Sequence, residues 1–86
     1  MTGTFTDNAQ TNHFEYTVDG AVAFAKYRRD ETTLYIDYVE APHELRGTGA
    51  SGKLMQSIID FAQKEKLKVI PICGYAAAWM SKNKLN

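Results

Sequence analysis

The chain has 86 residues, with ten Lys and Arg, ten Asp and Glu, and 44% hydrophobic residues. This length predicts one small domain of ordinary globular composition. The balanced charge argues against a nucleic-acid-binding domain, and no apolar run approaches the roughly 20 residues of a membrane span. Because no signal-peptide pattern is visible and one cysteine cannot form an internal disulfide, we expect a cytoplasmic protein without nucleic-acid or membrane partners.

Residues 1–12 are rich in Thr and other small polar residues, and Phe5 is their only aromatic side chain. Such a polar terminal stretch predicts a flexible arm. The remaining residues, 13–86, contain no linker, internal repeat or low-complexity segment, and we expect them to form one folded domain.

Three stretches of alternating apolar and polar residues follow the arm, and each predicts a β-strand. They cover residues 14–18, 21–28 and 33–39. The hairpin signal Asp19-Gly20 separates the first two strands, and a polar turn over 29–32 separates the last two. In the third strand, Leu34, Ile36 and Tyr38 are expected to share one face. Short links between consecutive strands predict an antiparallel meander.

The second half of the chain predicts two helices and one more strand. Apolar residues recur at helical spacing from about Thr48 or Ser51 to Glu65. Residues 69–72 predict a brief strand, in which Pro71 indicates a sheet edge, a bulge or a splayed end. Residues 75–82 predict a last helix, in which Trp79 and Met80 are expected in the core. The order βββαβα predicts an α+β fold: a three-stranded antiparallel meander extended by a fourth strand, with two helices packed on the sheet.

A glycine-rich turn from Arg46 to Gly52 joins the third strand to the first helix. Pro42 ends the strand because proline lacks the N–H that a ladder requires. The first N–H groups of a helix have no intrahelical partner, the helix dipole adds partial positive charge, and glycines let an anion reach the backbone. The turn predicts either a phosphate-binding site or a tight connection, and its spacing excludes a P-loop and a dinucleotide fingerprint.

Arg46–Ser51 resembles the pyrophosphate-binding loop Arg/Gln-x-x-Gly-x-Gly/Ala of the GNAT superfamily, the acetyl-coenzyme A-dependent N-acyltransferases. The preceding residues 40–47 resemble the segment before this loop in the smallest GNAT-like proteins, where His-Thr-Glu-Val-Pro leads into Leu-Arg-Gly-x-Gly. Val69–Cys73 resembles the second hallmark of that group, a short strand that ends in cysteine. The resemblance extends from about residue 14 to 82, and it implies a minimal GNAT-like domain.

The resemblance implies that acetyl-coenzyme A binds as the acyl donor and that its acetyl group passes to a primary amine. The implied donor-binding residues are Ala41, Leu45, Arg46, Gly47, Thr48, Gly49, Ala50, Ser51, Cys73 and Tyr75. Backbone N–H groups of the loop are expected to bind the pyrophosphate, with the Arg46 side chain as an added charge. Ser51 departs from the Gly or Ala of the pattern, but serine is small enough for the loop to approach phosphate.

Acyl transfer needs a group that takes a proton from the amine and a group that protonates the departing thiolate. Cys73 matches the cysteine regarded as an active-site residue in the small group. It is expected either to protonate the thiolate or to accept the acyl group; the alternative is a small buried hydrophobe. Glu40 is expected to deprotonate the amine or to bind its positive charge, and the alternative is an exposed carboxylate at the strand end.

Tyr38 stands where the small group usually has histidine. Tyrosine, with an ordinary pKa of about 10, is a poor base and a suitable acid. His43, or Glu40 acting through water, would then supply the base. The alternatives are a packed aromatic for Tyr38 and an exposed loop residue for His43. No metal site is expected, because His13 and His43 are far apart in the sequence and the cysteine is single.

The sequence thus predicts a cytoplasmic N-acetyltransferase, a monomer or weak dimer, whose acceptor is a protein, a peptide or a small amine. One alternative is a non-catalytic module that binds acyl-coenzyme A, which Tyr38 in place of histidine favours. Another is a small interaction domain without a cofactor.

Overall fold

The computed structural model describes residues 3–83; residues 1–2 of the predicted arm and 84–86 of the predicted domain lie outside the described residues. The strands are β1 (Thr4–Asn8), β2 (His13–Val18), β3 (Ala21–Arg29), β4 (Thr33–Glu40) and β5 (Lys68–Pro71). The helices are α1 (Ala50–Lys64) and α2 (Gly74–Lys82), and a short 3-10 helix spans His43–Leu45. No helix within residues 3–83 has the length and apolarity to cross a membrane.

The strands form one sheet in the order β1-β2-β3-β4-β5. Neighbouring strands are antiparallel from β1 to β4. The strand β5 runs parallel to β4, because α1 carries the chain back to the end of the sheet at which β4 begins. The predicted α+β class is confirmed. The sheet is mixed, and it has five strands instead of the four expected.

The additional strand is β1, which lies within residues 1–12, the stretch predicted to be a flexible arm. All five residues of Thr4–Asn8 pair with β2. The ring of Phe5 stacks on that of Phe14 with centroids 5.6 Å apart. The Tyr27 hydroxyl donates a 2.6 Å hydrogen bond to Asp7 from β3, two strands away. One apolar ring and one buried phenol therefore hold this polar strand on the sheet.

Both helices cover the same face of the sheet. The apolar stripe of α1 packs on β2 and β3, and its Leu54, Met55 and Ile58 are fully buried. In α2, Ala76 and Met80 are buried in the same core. We call the opposite side of the sheet the outer face, and no helix within residues 3–83 covers it.

A β-bulge in β4 changes which side chains face the core. The pairing of β4 with β3 shifts register between Tyr27, which lies opposite Ile36, and Lys26, which lies opposite Tyr38. Because Asp37 is the extra residue, the alternation of faces is broken there. Val39 instead of Tyr38 packs against the core with Ile36, and Tyr38 is 43% exposed on the outer face. The prediction that Tyr38 shares a face with Leu34 and Ile36 was wrong, because period two cannot reveal a bulge.

Candidate active site

The strands β4 and β5 separate at one end of the sheet. Their last paired residues are Ile36 and Pro71. The N–H groups of Ile72 and Cys73 both donate to the Ile36 carbonyl, at 2.9 and 3.0 Å, and α2 begins directly afterwards. Residues 37–40 of β4 continue past this point, and β5 provides no partner for them. The edge of β4 is open here, and Pro71 lies at the end of an edge strand, one of the three positions predicted.

The glycine-rich loop is held in shape by its own backbone and by Thr48. Gly47 and Gly49 have φ values of 78° and 83°, a left-handed conformation that favours glycine. The Thr48 hydroxyl donates to the Leu45 carbonyl at 2.6 Å and accepts the Ala50 N–H at 3.3 Å. A Cβ atom on either glycine would have no neighbour within 4 Å. The backbone of the loop therefore lies open to an approaching ligand.

Two backbone donors remain at the start of α1. Gly49 precedes the helix, and its carbonyl accepts the Lys53 N–H at 3.1 Å. The N–H groups of the first helical turn have no intrahelical acceptor. The Ala50 N–H already donates to the Thr48 hydroxyl. The N–H groups of Ser51 and Gly52 are therefore left in the first helical turn to bind an anion.

The implied donor-binding side chains differ in accessibility. Leu45 and Ala50 are buried, 5% and 1% exposed, so only their backbone atoms border the loop. Arg46 is exposed, and its Nε donates to the Ala41 carbonyl at 3.4 Å, which places the guanidinium beside the loop. Thr48 and Ser51 are half-buried.

Cys73 and Tyr75 meet at the N-terminus of α2. Cys73 precedes the helix, its carbonyl accepts the Ala77 N–H, and its side chain is half-buried against the core. Tyr75 is 42% exposed. Burial of its hydroxyl raises the pKa of Tyr75 above the ordinary value, and the neighbouring Cys73 raises this pKa further. The Tyr75 phenol is protonated at neutral pH, as the ordinary pKa of tyrosine already requires, and the upward shift makes it a weaker acid.

The other three catalytic candidates lie apart from Cys73. Tyr38 and Glu40 are opposite Lys26 and Phe24 of β3, which places both on the outer face. His43 is exposed in the 3-10 helix. Within residues 3–83, no hydrogen bond or ion pair joins any of these three to Cys73.

Sequence reasoning missed Phe24 as a neighbour of the site. Its ring contacts that of Tyr38 edge to face, with centroids 6.0 Å apart. The available signal was a large aromatic on the polar side of the second strand. The bulge was required to bring Tyr38 to the same face.

Three clefts lie elsewhere on the described chain. The first, about 370 Å³, is lined by Val18, Asp19, Gly20, Ala21, Glu44 and Leu45 and borders the loop only through its last two residues. The second lies between α1, β5 and α2. The third lies between α1 and Phe5. No group of three His, Cys, Asp or Glu side chains within residues 3–83 is placed to hold a metal ion.

The comparison with protein families gives one match. The profile of the family described as GCN5-related N-acetyl-transferase matches residues 13–85. A search of curated proteins finds no match. The family match spans β2 to the end of α2 and includes both the glycine-rich loop and Cys73. The chain therefore belongs to the GCN5-related N-acetyltransferases.

Proposed function

We propose that this protein transfers the acetyl group of acetyl-coenzyme A to a primary amine. The observation that carries the proposal is the loop before α1, in which left-handed Gly47 and Gly49 expose the backbone in a chain of this family. Acetyl-coenzyme A, when bound, supplies the thioester that is cleaved.

The donor would be held by two features of the backbone. The N–H groups of Ser51 and Gly52, with the Arg46 guanidinium nearby, suit the pyrophosphate, because a helix N-terminus stabilises anions. The open edge of β4 over residues 37–40 suits the amide groups of the pantetheine arm, because unpaired strand edges bind extended amide chains.

The reaction forms an N–C bond and breaks a C–S bond. The ammonium nitrogen loses two protons in all, one before and one after it attacks the thioester, while the departing sulfur gains one proton and the other is released to water. The attacking ammonium must first lose a proton, for which Glu40 and His43 are the candidate bases. The departing thiolate takes up a proton, for which Tyr75 is the candidate donor because a phenol is protonated at neutral pH and Tyr75 lies beside Cys73 at the N-terminus of α2. Cys73 lies beside Tyr75 and either relays this proton or accepts the acyl group transiently.

A non-catalytic module that binds acyl-coenzyme A is the second candidate. Tyr38, a poor base, occupies the position of the histidine usual in the small group. In addition, no hydrogen bond within residues 3–83 joins Cys73 to a base. These two observations favour binding without turnover.

We also propose that residues 13–86 form the catalytic domain, with β1 as an added edge strand, in a monomer or weak dimer located in the cytoplasm. The single cysteine agrees with a reducing compartment.

Release of free thiol from acetyl-coenzyme A tests the proposed function, with a lysine-containing peptide or spermidine as the amine. We expect amine-dependent thiol release and an acetylated product detected by mass spectrometry. Binding of acetyl-coenzyme A without release would establish the non-catalytic module. The absence of both binding and release would contradict both candidates and support an interaction domain.

A further inference from the structure

A strip of three aromatic rings crosses the uncovered outer face of the sheet. The rings of His13 and Phe24 have centroids 4.8 Å apart, and those of Phe24 and Tyr38 are 6.0 Å apart and inclined at 74°. We call His13, Phe24 and Tyr38 the aromatic strip. It connects β2, β3 and β4, and it reaches β4 where that strand extends past β5.

Phe24, at the centre of the strip, lies between two carboxylates. Glu15 is its direct partner on β2, and Glu40 is its direct partner on β4. Directly paired side chains on one face are close enough to share a ligand. Because neighbouring strands are about 4.8 Å apart, the two glutamates stand roughly 10 Å from each other across the Phe24 ring.

Two basic residues of the outer face lie near this centre, and one of them, Lys26, is the direct partner of both His13 and Tyr38. Lys26 extends across β2, where its Nζ donates to the Thr11 carbonyl at 3.4 Å. Arg28 forms a two-pronged ion pair with Asp37 and lies 5.0 Å from the Tyr35 ring centroid. With Arg28 paired, Glu15 and Glu40 outnumber Lys26, the one remaining cation that residues 3–83 place here, and the part of the face around Phe24 carries a net negative charge.

Inclined aromatic rings next to carboxylates form an environment that suits an alkylammonium group. The ring faces attract a cation, and the carboxylates neutralise it. Small-molecule sites are concave, but the three clefts described above lie away from this face. An open sheet surface is better suited to a side chain presented by another polypeptide.

We propose that the outer face around Phe24 is the acceptor surface, and that it binds a lysine side chain of a protein acceptor that carries a second basic residue nearby. Tyr38, Phe24 and Glu40 contact the lysine that is acetylated, and Glu15 contacts the second cation. In an extended chain, side chains two residues apart point to the same side about 6.6 Å from each other, and the long lysine and arginine side chains span the rest of the roughly 10 Å. This inference rests on the proposed acetyl transfer and extends it to the class of acceptor.

The test compares three amines with the full chain. They are a peptide with one lysine and arginines two positions to either side, the same peptide with glutamates in place of the arginines, and spermidine. We expect a KM for the arginine peptide at least about 5-fold below that for the glutamate peptide, since each exposed ion pair contributes a factor of about 2 to 5. Fluorescence anisotropy of the labelled arginine peptide, without acetyl-coenzyme A, gives its affinity independently of turnover.

Two variants remove the proposed contacts individually. Glu15→Gln is expected to raise both the KM and the dissociation constant of the arginine peptide about 2- to 5-fold, and Phe24→Leu is expected to do the same. The affinity of both variants for acetyl-coenzyme A is expected to stay unchanged. Glu15→Gln keeps an acceptor for the Asn8 amide, and it decides the matter if Phe24→Leu does not fold.

Two matched controls separate contact from general effects. Glu31→Gln removes an exposed carboxylate from the turn between β3 and β4. Tyr35→Leu removes an aromatic ring of the outer face that Arg28 already covers. Both are expected to leave the peptide KM and dissociation constant unchanged.

Equal KM values and equal dissociation constants for the two peptides would overturn this inference even if amine-dependent turnover persisted. The same holds if Glu15→Gln leaves both constants of the arginine peptide unchanged. Preferential use of spermidine, insensitive to Glu15→Gln, would overturn it in favour of a small polyamine. A wild-type dimer that Phe24→Leu dissociates, measured by sedimentation, would show a face buried between two copies and also overturn it. Failure to bind acetyl-coenzyme A would instead refute the proposed function. In that case, a peptide affinity by anisotropy that falls in Glu15→Gln and Phe24→Leu would still support the outer face as a peptide-binding surface.

Discussion

Tyr27 links the core to β1 through its hydroxyl, although its ring is 2% exposed. Burial raises the pKa of Tyr27 to about 12, and the hydrogen bond to the Asp7 carboxylate contributes to this shift. The protonated phenol therefore stabilises the folded chain at any pH below about 10, its ordinary pKa. This stabilisation is lost as the pH rises from about 10 to 12.

Tyr27→Phe is expected to lower the free energy of unfolding by about 0.5–1.5 kcal/mol at pH 7, towards the lower end because Asp7 is exposed. Urea titrations of both proteins from pH 7 to 12 measure this. Their difference is expected to be constant up to about pH 9 and to disappear towards pH 12. A difference that persists at pH 12 would contradict the role of the hydroxyl.

Cys73 and Tyr75 are expected to act on the departing thiolate and not on donor binding. Cys73→Ala and Tyr75→Phe are each expected to lower kcat at least about 10-fold, because a positioned proton donor contributes about that much or more. The dissociation constant for acetyl-coenzyme A is expected to change little. Tyr35→Phe, on the outer face, is the control for loss of a phenol. Unchanged kcat in Cys73→Ala would make this residue part of the core only.

Glu40 is proposed both to contact the acceptor and to take its proton. Glu40→Gln keeps the shape of the side chain but cannot accept a proton, so kcat/KM is expected to fall and its dependence on pH to change. Glu44→Gln, an exposed carboxylate of the 3-10 helix, is expected to leave the pH profile unchanged. A wild-type profile in Glu40→Gln would transfer the role of base to His43.

At the scale of elements, periodicity predicted the strands and helices of the domain but not the details that depend on pairing. The expected helix starting near Thr48 or Ser51 begins at Ala50, and Trp79 and Met80 pack in the core as predicted. The bulge at Asp37 could not be predicted, because its signal is the register between two strands and not the composition of either. The orientation of Tyr38 therefore had to come from the structure.

The strand β1 was missed for a related reason. Its sequence has one large apolar residue, and such a segment has little tendency to form a strand by itself. Pairing with β2 and the stacking of Phe5 on Phe14 supply the stabilisation. Of the candidate site, the loop and the cysteine were predicted from the resemblance to the family, and their roles stay predictions, whereas the separation of β4 from β5 and the aromatic strip could not be predicted.

Phe5→Ala is expected to detach β1. Phe5 is half-buried, so its removal is expected to cost about 1–2 kcal/mol of the free energy of unfolding. Amide hydrogen exchange in Thr4–Asn8 is expected to accelerate while exchange in β3 is little changed. Thr6→Ala, on the outer face of the same strand, is the control and is expected to cost less than about 0.5 kcal/mol. Unchanged exchange in Phe5→Ala would contradict this anchoring role.

For the whole molecule, we propose that donor binding takes place on the face of the sheet that the helices cover and acceptor binding on the outer face. The glycine-rich loop and Cys73 belong to the side on which the helices lie, and Tyr38 and Glu40 belong to the outer face. Cys73, whose N–H donates to the Ile36 carbonyl, and the β4 residues Tyr38 and Glu40 border the open edge of β4 past Ile36. Donor and acceptor are accordingly expected to meet at this edge from opposite faces of the sheet.

Calorimetric titration of acetyl-coenzyme A into the wild-type chain, Gly49→Glu and Gly20→Glu tests whether the loop before α1 binds the donor. Gly20 is the matched control, because it has a left-handed φ of 81° in the turn between β2 and β3 and open space where a Cβ would lie. We expect the wild type and Gly20→Glu to bind acetyl-coenzyme A. In Gly49→Glu, where a carboxylate would face the pyrophosphate, we expect an affinity at least about 100-fold lower. Equal affinities of the three proteins, or no binding by the wild type, would contradict this role of the loop.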